Sequence, residues 1–142
     1  MEVYEIDMKA VNDFFKSLPA WNIENELGYK PITTFWQDFS IADAMARLGE
    51  NPIPAIRLTF KCAVESWKDD YKYMTELVMV LNHKIFEHHA RAEKANREGR
   101  LNERDHELRL ATEYNAAWMA LDDWCRAHLK GEELEYYYET TD

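Results

Sequence analysis

The chain has 142 residues, 46% of them hydrophobic, and a net charge of −10. That length fits one domain with a core of its own, and the apolar fraction excludes a chain disordered throughout. The acidity excludes a nucleic-acid binder that works by broad phosphate contact; it suits solubility, a basic partner, or mimicry of a polyanion. No apolar run approaches the roughly 18 residues that a bilayer requires. The N-terminus, MEVYEIDMKAV, is acidic and lacks the apolar stretch of a signal peptide. A cytoplasmic protein without membrane contact is therefore expected. Cys62 and Cys125 lie in apolar stretches with no Cys-x-x-Cys spacing, which predicts two buried thiols rather than a disulfide.

Taken in order, Tyr4, Met8, Val11, Phe15 and Leu18 are spaced as one face of an α-helix, expected over 7–18 and stopped by Pro19. Residues 19–33 contain Pro19, Gly28 and Pro31 without a sustained period and read as a long loop. A helix over 34–48 opens either at Thr34, with Gln37 completing a capping box, or at Ser40 with Asp43. Asn51 is placed to cap a further helix over 52–68, with Pro52 and Pro54 tolerated in its first turn. Ile53, Ile56, Phe60, Ala63, Val64 and Trp67 form its apolar face.

The longest helical pattern runs from Asp70 to Arg97, with Met74, Val78, Leu81, Ile85 and Ala92 on one stripe. Asp70 is a candidate N-cap; a kinked helix continuous with 52–68 is the alternative. Gly99 suits the left-handed stop of that helix, and a second long helix follows over 101–129. Its apolar stripe reads Leu108, Ala111, Asn115, Trp118, Leu121, Cys125 and His128. Two long amphipathic helices joined by a short turn make an antiparallel αα-hairpin. Folding about Gly99 sets residues whose numbers sum to about 198 opposite each other, pairing Leu81 with Ala117, Val78 with Ala120 and Met74 with Trp124. Gly131 closes the second helix, 132–138 can form one more turn, and 139–142 is expected to fray. No alternating strand pattern competes. The expected fold is all-α: a single-domain helical bundle over 1–142, of about five helices around the 70–97 and 101–129 hairpin.

Five histidines occur: His83, His88, His89, His106 and His128. Imidazole is both a metal ligand and a general base. His83 with Glu87 and His89 with Glu93 are each four apart on a helix, and Glu103 with His106 makes one Glu-x-x-His step. A di-metal bundle needs two such steps and further glutamates facing inward. No metal site is therefore favoured, and the candidates are His83, Glu87, His88, His106 and Glu113. Nucleophilic catalysis has no Gly-x-Ser-x-Gly signature. Cys125 and His128 are three apart on a helix, but both fall on the apolar stripe. The scattered glycines cannot cradle a phosphate. No catalytic residue and no cofactor follow.

Aromatic residues make up 13% of the chain, with five Trp, eight Tyr and six Phe. Trp and Tyr are enriched in interfaces. Trp36, Asp122, Asp123, Tyr136, Tyr137 and Tyr138 are the candidate interaction residues, facing a basic partner or a second copy of the chain. Gly131–Asp142 carries five acids and no base.

TTFWQDFSIADAMARLG, WKDDYKYMTELVMVLNHKIFEHH and the terminal KGEELEYYYETTD resemble short uncharacterised proteins from bacteriophages and mobile elements of gut bacteria. The resemblance covers about 34–90 and the last dozen residues, leaving Ala90 to about Glu113 outside it. It implies a genomic context and no reaction. The expectation is a non-enzymatic accessory or interaction protein that binds a protein partner or itself as a homodimer, without direct nucleic-acid binding. The alternatives are an acidic inhibitor that mimics nucleic acid and a metal-binding helical-bundle enzyme using the His/Glu cluster.

Overall fold

A computed structural model describes residues 30–47, 51 and 53–141. Those residues form five α-helices and no strand: α1 (Phe35–Arg47), α2 (Ile53–Trp67), α3 (Tyr71–Arg97), α4 (Leu101–His128) and α5 (Glu132–Thr141). The protein is all-α, as its periodicity predicts. The helix expected over 7–18 and most of the 19–33 loop lie outside the described residues. The chain divides into two compact units, Met1–Ala63 and Val64–Asp142.

In the first unit, α1 starts at the earlier of its two candidate sites. The Asp38 amide donates to the Thr34 carbonyl, and the Phe35 amide to the Thr33 hydroxyl. Ser40 instead sits inside the helix, where its hydroxyl bonds back to the Trp36 carbonyl at 2.8 Å. Phe35, Trp36 and Phe39 are buried, at the three- and four-residue steps of a single face. α2 is capped by Asn51, whose side-chain oxygen accepts the Ile53 amide. Its buried face is Ile53, Ala55, Ile56 and Ala63. Cys62 is exposed, which corrects the expectation of two buried thiols. It is one residue from Ala63 and so lies about 100° round the helix from it.

The second unit is the hairpin. A turn at Lys68 and Asp69 separates α2 from α3, so no continuous kinked helix forms. The Asp70 carboxylate accepts the amides of Lys72 and Tyr73 and satisfies two of the donors left over at a helix start. From Tyr71, α3 runs for 27 residues, about 40 Å at its rise per residue. Up to Leu81 it is buried nearly all round, with Met74, Leu77, Val78, Val80 and Leu81 in the core. Beyond Ile85 only one stripe stays buried, formed by His88, Ala92 and Ala95.

The hairpin turn is a Schellman motif. The Arg100 amide donates to the Ala95 carbonyl at 2.8 Å and the Gly99 amide to Asn96, with Gly99 at φ 74°. α4 returns antiparallel along α3. Its buried face is Glu107, Leu110, Ala111, Tyr114, Leu121 and Cys125. Leu108, Asn115 and His128 face solvent instead, and Ala120 is exposed, so it cannot be the residue that packs on Val78. α4 ends at a Leu129 cap; Gly131, at φ 61°, makes the turn into α5. α5 packs mainly along α3. Where a frayed tail is expected from 139, the helix continues to Thr141, whose hydroxyl donates to the Tyr137 carbonyl. No helix among the described residues is long and apolar enough to cross a membrane.

Candidate functional site

Halfway along the hairpin the core turns polar. His88 of α3 is fully buried, and its Nδ1 lies 2.6 Å from Oε2 of Glu107 on α4. A carboxylate only accepts, so Nδ1 is the donor. The imidazole stacks on Tyr114, about two turns beyond Glu107 on the same buried face of α4, with ring centroids 5.4 Å apart and planes 9° from parallel. One turn before His88, Lys84 is buried and its Nζ is 3.3 Å from Glu87. Glu87 also accepts from Arg91 at 2.6 Å. Buried charge persists only where it is paired. Here Lys84 and Arg91 flank one carboxylate and His88 holds the other.

This arrangement draws together two of the five metal candidates. Glu87 and His88 present ligand atoms within 4.8 Å of each other. His83, His106 and Glu113 belong to no group of three such ligands among the described residues. His83, His88 and His106 therefore share no ligand group among the described residues. Glu87 is engaged by two cations, and an ammonium 3.3 Å from a carboxylate neutralises the charge that a metal ion needs. The Glu93 carboxylate is likewise engaged by Arg97.

The interaction candidates are mostly absorbed into the fold. Trp36 is buried. Tyr137 is fully buried, and its hydroxyl donates to Asp122. Asp122 also accepts a bifurcated hydrogen bond from Nε of Arg126, which lies 3.1 and 3.0 Å from its two oxygens. The Arg126 guanidinium lies over the Tyr138 ring. Tyr136 meets Tyr71 edge-on, with Lys72 over its face. Of the six, only Asp123 is exposed. Three aromatic residues in a row on a helix point in three directions, so one is buried whenever the helix docks.

Electrostatics follow from this packing. Burial, reinforced by the Asp122 charge, pushes the Cys125 thiol from 9.0 up to about 12. Burial and the hydrogen bond to Asp122 raise the Tyr137 phenol above its ordinary 10.0. A thiol raised that far is inert as a nucleophile. His128 is exposed, stacks on Trp124 and bonds the Trp124 carbonyl, so it does not activate Cys125.

The residues missed by sequence reasoning are Lys84, Arg91, Glu107 and Tyr114. The hairpin register contained a signal for one of them: 88 and 107 sum to 195, close to the expected sum of about 198.

The outer face of α4 has a different character. From Leu110 to Leu121 Glu113 is the sole charge. Thr112, Ala116, Met119 and Ala120 are nevertheless exposed there, Met119 at 52%. Phe86 and Leu101 are also exposed, at 66% and 50%. No family model matches the chain, and no curated protein or solved structure matches it significantly.

Proposed function

We propose that this is a non-enzymatic accessory protein of the cytoplasm, possessed of one interaction helix, that binds a protein partner or a second copy of itself. The carrying observation is the outer face of α4 between Leu110 and Leu121, which is exposed and nearly without charge. The solvent side of an amphipathic helix ordinarily carries its charged residues. In a chain with 31% charged residues, a charge-poor outer face is a place prepared for contact.

The other two readings lose support. A mimic of nucleic acid needs carboxylates left open at phosphate-like spacing, whereas Glu87, Glu93 and Asp122 are each paired with an arginine of their own helix. A metal enzyme needs an open ligand set, and Lys84 and Arg91 lie against Glu87. A phage or mobile-element setting fits a small accessory protein of this kind.

The test is an Ala116→Arg variant, which places a long charged side chain at the centre of the exposed face. Its melting temperature is expected to stay at the wild-type value, because the position is exposed. Self-association measured by light scattering, and capture of any partner, is expected to be lost. Association that is unchanged by Ala116→Arg contradicts the reading.

A further inference from the structure

We infer that the outer face of α4 is the seam of an antiparallel homodimer, centred on Ala116, in which Arg109 of each copy meets Asp123 of the other. The inference rests on the proposed interaction role and names its surface, its occupant and its register.

Charge complementarity carries it. The charges near this face divide into two kinds. Asp105 is 3.0 Å from Arg104, and Asp122 is held by Arg126. Arg109 and Asp123 are exposed, and among the described residues neither takes part in an ion pair. They bracket the charge-poor stretch, one near each end. They are fourteen residues apart, which is close to four helical turns, so they share the stripe that runs through Thr112 and Ala116. One end of the stripe is therefore positive and the other negative.

A two-fold axis converts that asymmetry into a match. In an isologous contact, residue i meets j and j meets i. Two α4 helices running antiparallel about Ala116 place residues whose numbers sum to 232 opposite each other, and 109 and 123 have that sum. Both ends of the seam then carry an Arg–Asp pair. Thr112 meets Ala120, and Ala116 meets itself, so small side chains let the axes approach to about 8 Å. A parallel pairing sets Arg109 on Arg109 and Asp123 on Asp123, and repulsion disfavours it. A chain with a net charge of −10 repels its own copies elsewhere, which confines self-contact to a face such as this one. One helix face gives an interface at the small end of the range, below about 1,200 Å², and a dissociation constant in the micromolar range.

Charge reversal and its rescue test the register. Arg109→Asp sets acid against acid at both ends and is expected to weaken the dimer about tenfold or more by sedimentation equilibrium. Asp123→Arg alone is expected to weaken it similarly. The double variant, which restores both pairs in reversed order, is expected to return to within about threefold of the parent. Both positions are exposed, so the fold is preserved, and circular dichroism checks this for each variant. An independent readout uses Ala116→Cys in a Cys62→Ser background, where the two-fold brings the new thiols together and mild oxidation yields a covalent dimer. A dimer that ignores the charge reversals and does not cross-link at 116 overturns the seam and leaves the interaction role standing. A chain that stays monomeric at high micromolar concentration, and whose partner binding also ignores Ala116→Arg, overturns both.

Discussion

Nδ1 of His88 lies 2.6 Å from Oε2 of Glu107, joining α3 to α4 across a separation of 19 residues. It is the polar bond that fixes the two long helices in register at the middle of the hairpin. Glu107→Ala leaves a buried imidazole N–H without its acceptor and is expected to cost about 3 kcal/mol, the upper end of the range for a buried donor left unsatisfied. His88→Ala is expected to cost as much, since it also removes the stack on Tyr114. The double variant should cost less than the sum of the singles by about 1 to 2 kcal/mol. Urea unfolding of the four proteins measures this, and strict additivity would contradict it.

Gly99 adopts φ 74° with nothing within 4 Å of where a Cβ would stand. The expected cost of Gly99→Ala is therefore conformational, about 1 kcal/mol, and not steric. Gly99→Asn should recover part of it, because asparagine tolerates the left-handed region. The comparison of the two unfolding midpoints decides: equal losses for Ala and Asn would point away from backbone conformation as the cause.

Cys125 and Tyr137 are both raised on folding, the thiol to about 12. A group raised in the folded state supports that state fully below its unfolded value and stops doing so as the pH climbs through its folded value. Stability is therefore expected to fall as the pH rises from about 9, the ordinary thiol value, toward 12. Cys125→Ala removes the thiol's share, so its decline should begin about one unit higher, where unfolded tyrosine ionises. Urea midpoints for both proteins between pH 8 and 11 test this. A parent whose midpoint does not fall more than the variant's over that window would contradict it.

The two thiols should react separately. Cys62 is exposed and Cys125 buried. A chromogenic disulfide reagent is expected to modify one thiol at once and the second only on unfolding. Cys62→Ser should remove the fast phase and keep the slow one. Two fast thiols in the native protein would show that α4 is not packed at Cys125 as described.

Much of the hairpin was legible because its signals are local. Asp70, Gly99 and the stripe from Met74 to Ala92 each act through neighbours within two turns, and spacing reveals them. The face of α4 was less legible. Its apolar stripe, read from Leu108 through Asn115 to His128, is partly out of phase with the buried face through Glu107, Leu110 and Tyr114. Hydropathy counts glutamate as a surface residue. Glu107 is buried only because His88 reaches it from the other helix, and no periodicity within α4 encodes that.

Most of the candidate interaction residues take part in the packing of the fold, for a related reason. An excess of aromatic residues suggests a surface, but Tyr136, Tyr137 and Tyr138 occupy a full helix that docks on the hairpin. Asp122 supplies the acceptor that lets the buried Tyr137 hydroxyl keep a partner. The exposed face that remains carries no aromatic residue and is marked by missing charge, a weaker signal in a sequence than an abundance of tryptophan and tyrosine.

The most direct measurement is sedimentation equilibrium of the unaltered chain from low to high micromolar concentration. The average mass is expected to rise from 16.9 kDa toward twice that value. A mass that remains at 16.9 kDa throughout would contradict it.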